Sequence, residues 1–205
     1  MPRRGFRRRG RCFGTGMVGL ALVAIAPVAG CEEVDGPSGG ASDAAGGALA
    51  DATQVEGEPS ELSGITRLHN DVRAAVGVPP LAWDPRLAAI AAAWAAQCVD
   101  QSPPAGLIDH NDNRSDGYPS YVGENVYASS GNATASGAVD SWASERADYN
   151  YANNTCSGVC GHYTQVVWRT STMLGCAKHS CSRLRFPSTI VCNYGPGGNS
   201  GGRPY

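Results

Sequence analysis

The sequence has no run of the roughly 20 consecutive apolar residues that a membrane-spanning helix needs. Its uncharged, mostly apolar stretch, Gly16 to Ala29, falls short of that length. The acids and bases of residues 61–205 nearly cancel. No cluster of Lys and Arg there supplies the basic field that holds nucleic acid or a membrane-binding face. The His-Glu-x-x-His helix of zinc proteases is absent. So is a Gly-x-Ser-x-Gly nucleophile elbow: those letters occur only at Gly36–Gly40 and Gly198–Gly202, in Gly-rich polar stretches without a strand-to-helix turn. No Cys-x-x-Cys pair marks a structural zinc module either, since Cys156–Cys160 and Cys176–Cys181 are spaced too widely.

Among the features that are present, the N-terminus comes first. Arg3, Arg4, Arg7, Arg8, Arg9 and Arg11 precede the apolar stretch, which is the layout of a secretion signal. Arg3-Arg4-Gly5-Phe6 also resembles a twin-arginine export motif. The signal, residues 1–30, ends in Val28-Ala29-Gly30-Cys31, which resembles the bacterial lipobox. Lipidation is therefore expected on Cys31. The expected location is the bacterial cell envelope, periplasmic or surface-facing, with membrane attachment through the lipid alone. If the cleavage site is an ordinary one, the chain is secreted. Residues 31–60 are rich in Gly, Ala and Ser and carry Glu32, Glu33, Asp35, Asp43, Asp51, Glu56 and Glu58 with no basic partner. So little apolar surface cannot offset chain entropy, and a disordered tether is expected.

Residues 61–205 are long enough for one domain with its own core. With Cys12 in the signal and Cys31 lipidated, six cysteines remain: Cys98, Cys156, Cys160, Cys176, Cys181 and Cys192. An even number in an exported domain implies three disulfides, whose pairing the spacing alone leaves open. Ile65, Leu68, Val72 and Val76 recur at helical spacing and end at Gly77. Asp84 can cap a second helix with Pro85 in its first turn and a stripe of Leu87, Ile90, Ala91 and Trp94. A third helix begins around Ser136. Val139 and Trp142 line its apolar face, and Glu145 falls on that same face, where a carboxylate needs a reason. Strands are expected at Leu174–Lys178 and Thr189–Tyr194. Helices first and strands late suggest an α+β layered domain.

The chain from Glu145 onward resembles plant pathogenesis-related proteins of group one. The matching blocks are Glu145-Arg146-Ala147-Asp148-Tyr149-Asn150-Tyr151, Asn154-Thr155-Cys156, and Cys160-Gly161-His162-Tyr163-Thr164-Gln165-Val166-Val167-Trp168-Arg169. Leu174-Gly175-Cys176-Ala177, Val191-Cys192-Asn193-Tyr194 and Gly202-Arg203-Pro204-Tyr205 continue the likeness. His69-Asn70-Asp71-Val72-Arg73, Leu81-Ala82-Trp83-Asp84 and Gly123-Glu124-Asn125-Val126 extend it upstream. These motifs run in order across 61–205, and the domain is identified as a member of the CAP superfamily, which also holds cysteine-rich secretory proteins and antigen 5.

The resemblance implies a three-layer α-β-α sandwich with a cleft of two His and two Glu: His110, Glu124, Glu145 and His162. It implies the bridges Cys98–Cys181, Cys156–Cys160 and Cys176–Cys192. A divalent metal, zinc above all, would be held by His110 and His162. Glu124 and Glu145 would be catalytic, as general bases, only if the domain is a metal-dependent hydrolase or protease. The family points first to a monomeric binding module for a lipid, a sterol or an extracellular protein, and not to an enzyme. Two departures stand out: Asn111 follows His110 where the family usually has Ser, and a long polar stretch, Asn111 to Ser120, separates His110 from Glu124. His69, on the first helix beside buried Leu68, is read as structural, and His179 as exposed.

Overall fold

A computed structural model describes residues 55–205. The expected signal, the expected lipidation at Cys31 and most of the expected tether lie outside the described residues. The order of elements is α1 (Ile65–Ala74), β1 (Ala82–Trp83), α2 (Pro85–Ala95), β2 (Gly123–Ser129), α3 (Ala135–Ser144), β3 (Tyr149–Asn150), β4 (Thr155–Cys156), α4 (Gly161–Val166), β5 (Met173–Ser180) and β6 (Ser188–Gly195). Among the described residues, no helix is long and apolar enough to cross a membrane.

Ordered structure begins ahead of residue 61. Glu58, placed in the tether by composition, is buried. Its carboxylate accepts the N–H groups of Gly64 and Thr66, each at 2.8 Å. Those donors open α1 and have no partner within the helix, so Glu58 acts as a cap from six residues upstream. Glu58→Gln removes the charge from that cap. It should lower stability by about 1 kcal/mol in urea unfolding, and an unchanged midpoint would contradict the role.

The sheet has the order β1-β5-β6-β2, with β1 parallel to β5 and the other pairs antiparallel. Alternation along β6 divides the core in two. Ile190, Cys192 and Tyr194 face a cluster that includes Ile65 of α1, Trp142 of α3 and Tyr163 and Val166 of α4. Val191 faces a second cluster with Ala91 and Ala95 of α2, Ile108, Val126 of β2 and Ala177 of β5. One helix on one face and three on the other make a three-layer α-β-α sandwich.

α2 starts as its sequence indicates: the Asp84 side chain accepts from the Arg86 N–H, and Pro85 occupies the first turn. Burial pushes the Asp84 carboxyl up, but hydrogen bonds from Arg86 and Tyr118 outweigh this and hold it below the usual carboxylate range. Gly175 lets α2 lie close on β5, since a Cβ there would strike the Ala88 nitrogen and the Asp84 carbonyl.

Two elements depart from the expected order. β2 precedes α3, although its Gly-Glu-Asn start has poor strand propensity. α4 falls between the expected third helix and the expected strands, and its six residues are too few for a periodic signal. The bridges are Cys98–Cys181, Cys156–Cys160 and Cys176–Cys192. The last joins directly opposed residues of β5 and β6.

Candidate functional site

Strand β2 is an edge of the sheet, and its consecutive residues point to opposite faces. Glu124 lies on the α2 face and Asn125 on the face covered by α1, α3 and α4. Each anchors one half of the site.

On the α2 face, Glu124 Oε1 accepts from His110 Nδ1 at 2.7 Å and from the Asn111 N–H at 2.9 Å. Asn193 stands directly opposite Glu124 on β6. Its amide, in the orientation that satisfies its neighbours, donates to Glu124 Oε2 at 3.3 Å. The Glu124 side chain is wholly buried, whereas the His110 side chain is 53% exposed. A buried carboxylate thus holds an imidazole that faces solvent. Asn111 supplies its backbone N–H to this carboxylate, and its own side chain accepts from the Asn113 N–H. Arg114, inside the long polar stretch, donates to the carbonyls of Asn111 and Val122, which ties that stretch back to the start of β2.

On the other face, α3 ends at Ser144 and Glu145 opens a 3-10 turn through Asp148. Glu145 Oε1 accepts from His162 Nδ1 at 2.5 Å. Its Oε2 accepts the N–H groups of His162 at 2.9 Å and Tyr163 at 3.2 Å. The reason for a carboxylate on the α3 stripe is therefore plain: Glu145 satisfies free donors at the start of α4 and fixes the His162 ring. Trp142 lies nearly parallel to that ring, 21° between planes with centroids 6.5 Å apart.

The structure brings His110 to Glu124 and His162 to Glu145. The two pairs do not bond directly, and Asn125 links them. Its Nδ2 donates to the His162 carbonyl at 3.1 Å and to the Tyr194 hydroxyl at 3.0 Å. Tyr194 in turn meets His69 Nε2 at 2.8 Å, and His69 Nδ1 meets the Ile65 carbonyl at 2.8 Å. That carbonyl can only accept, so His69 carries its proton on Nδ1 and takes the Tyr194 proton at Nε2. His69 is a satisfied core residue, as expected.

The sequence reading gave no role to Asn125 or Asn193. A signal was available at Asn193: asparagine is disfavoured in strands, and here it interrupts the apolar segment Ile190 to Tyr194.

In both pairs the carboxylate accepts from Nδ1, and among the described residues Nε2 makes no hydrogen bond. Metal-ligating histidines are commonly oriented in this way. Among the described residues, the ligand-type side chains that come within 4.8 Å as a set of three are Cys98, His179 and Cys181. The two sulfurs of that set are bonded to each other, and an oxidised bridge offers no thiolate to a metal. The cleft tetrad does not close into so tight a group.

Residues 66–194 match the pattern of the Cysteine-rich secretory protein family, CAP. The chain belongs to this family. It is 45% identical over 154 residues to "Pathogenesis-related protein 1" of Arabidopsis thaliana, covering 75% of this chain and 85% of the relative. The venom allergen-like protein 4 of Schistosoma mansoni has a similar fold, with a TM-score of 0.54, 30% identity and coverage of 72% of this chain and 95% of that one. NaASP2, solved with Zn2+, has a TM-score of 0.55 at 25% identity, covering 72% of this chain and 88% of that one.

Proposed function

We propose that this CAP protein is an exported binding module, lipid-anchored through Cys31, whose His/Glu cleft holds a divalent ion on His110 and His162. The observation that carries the reading is the paired orientation of the two imidazoles. Each has Nδ1 committed to a carboxylate and Nε2 free, which is the donor chemistry zinc selects. The zinc in the NaASP2 structure supports the choice of metal. When bound, the ion would supply a Lewis-acidic point for a ligand oxygen or nitrogen.

The same geometry weighs against the hydrolase alternative. Glu124 and Glu145 each spend their oxygens on an imidazole and on backbone or amide donors. A carboxylate so engaged is poorly placed to take a proton from water. Its role here is to position histidine.

The ligand is a lipid, a sterol or an extracellular protein. A groove of about 650 Å3 runs past Glu61, Asn132, Lys178, His179 and Pro187. Another, of about 300 Å3, runs past the start of α4 between Tyr149, Thr164, Trp168 and Pro204.

Zinc titration of the purified protein, followed calorimetrically, tests the metal reading. His162→Ala should abolish binding, and Glu145→Gln should weaken it by about 10- to 100-fold. If the wild-type protein takes up no zinc above background, the metal reading fails. A panel of sterols and fatty acids tests the ligand class: if none binds at micromolar levels, lipid carriage is dropped and a protein ligand remains.

A further inference from the structure

The three bridges differ in how far solvent can reach them. Cys176 and Cys192 are fully buried, and Cys181 is 2% exposed. Cys98 is half-buried and Cys160 is 5% exposed, whereas Cys156, on strand β4, is exposed and is the most open of the six. Its bridge to Cys160 also closes the shortest loop, with a sequence separation of 4 against 16 and 83 for the others. Exchange requires a thiolate to reach a disulfide sulfur. A short loop restrains the unfolded chain least, so the fold loses least when that bridge opens.

The same bridge is tied to the candidate site. Glu145 opens the turn that leads directly into β3, and Tyr149 of β3 pairs with Cys156. Ser157 donates to the Asp148 carbonyl through its N–H at 2.9 Å. On the other side, Cys160 is the residue before α4, its carbonyl accepts the Thr164 N–H, and His162 follows two positions later. The Cys156–Cys160 bond therefore fastens the hairpin that follows Glu145 to the helix that carries His162.

We propose that Cys156–Cys160 is a site of exchange with low-molecular-weight thiols, and that opening it loosens the His162–Glu145 pair and weakens ion binding there. Only the effect on ion binding rests on the function proposed above. The small thiolate attacks the exposed Cys156 Sγ. An S–S bond to Cys156 forms as the Cys156–Cys160 bond breaks, and Cys160 leaves as a thiolate that takes a proton from water. A second small thiolate attacks the outer sulfur of the mixed disulfide. This releases the oxidised small-molecule disulfide and leaves Cys156 as a thiolate, which water protonates. Two small thiols are oxidised and one protein disulfide is reduced.

The test has two parts. The full chain is incubated with graded glutathione, trapped with iodoacetamide and read by peptide mass spectrometry. Cys156 and Cys160 should be labelled before Cys98, Cys181, Cys176 or Cys192. Earlier or simultaneous labelling of any of those four overturns the exchange site. The His162 amide and ring NMR signals are then compared at one pH between wild type and the Cys156→Ser/Cys160→Ser double variant. They should shift or broaden, and zinc affinity should fall by about tenfold. Unchanged His162 signals overturn the coupling. If wild type binds no zinc at all, the proposed metal function fails, while the labelling order and the His162 signals still decide this proposal. If the double variant does not fold, the glutathione-opened wild type provides the same comparison.

Discussion

Arg73→Met should destabilise the domain by about 4 kcal/mol, read as a lower urea midpoint with an unchanged slope. Arg73 is fully buried on α1. Among the described residues no carboxylate pairs with it. Its guanidinium instead donates to four carbonyls: Pro79 at 2.7 Å, Val166 at 2.8 Å, and Trp168 and Ser171 at 2.9 Å. Val166 is the last residue of α4, so Arg73 satisfies acceptors at a helix C-terminus, where a cation is favoured. Burial pushes its pKa down to about 10, which still leaves it charged at neutral pH. Methionine fills much of the space but leaves these carbonyls buried without donors. Arg73→Lys keeps the charge but cannot reach four acceptors with a compact ammonium, and should lose about half as much. A loss below 1 kcal/mol for Arg73→Met would show that water or rearrangement replaces the guanidinium.

Acid should weaken the domain through His69. Its ring is completely buried, and burial holds its pKa at about 4, against 6.5 for an ordinary histidine. The sign follows from proton binding. Between pH 6.5 and 4 the unfolded chain takes up a proton that the folded chain refuses, so stability falls as pH drops through that window. It levels off below pH 4, where both states are protonated. A shift of this size corresponds to roughly 3 kcal/mol. The hydrogen bonds give the structural reason. A proton on Nε2 would oppose the Tyr194 hydroxyl proton that now points to it, and Tyr194 already accepts from Asn125. Asn125 also holds the His162 carbonyl, so two side chains, Tyr194 and Asn125, stand between His69 and the candidate site. Urea unfolding of wild type and His69→Gln at pH 7 and pH 4 isolates the effect. The variant should lose about 3 kcal/mol less than wild type between the two pH values. Equal losses would remove His69 as the cause.

How far these features could be read from the sequence varies from residue to residue. The Asp84-Pro85 start of α2 was legible because a cap and its proline are neighbours in the chain. Glu145 could be flagged as a carboxylate on an apolar stripe, but its partners lie 17 and 18 residues on, and nothing local announces them. For α1 the apolar spacing located the helix and misjudged its face. Leu68, Val72 and Val76 are only partly buried, while His69 and Arg73 are fully buried. Hydrophobic periodicity cannot anticipate a buried imidazole or guanidinium whose cost is offset by carbonyls and hydroxyls from distant segments.

The sequence by itself determined the family and the layered α+β architecture that the family implies, and it named four side chains as cleft candidates. Motifs that run in order along one chain carry that much. The tertiary structure decided what those side chains do to one another. It sorted them into the pairs His110–Glu124 and His162–Glu145, with Asn125, the neighbour of Glu124 on β2, bonded to the His162 carbonyl between them. It showed that Glu124 and Glu145 each accept from an imidazole Nδ1 and from backbone N–H groups, because only folding delivers those donors.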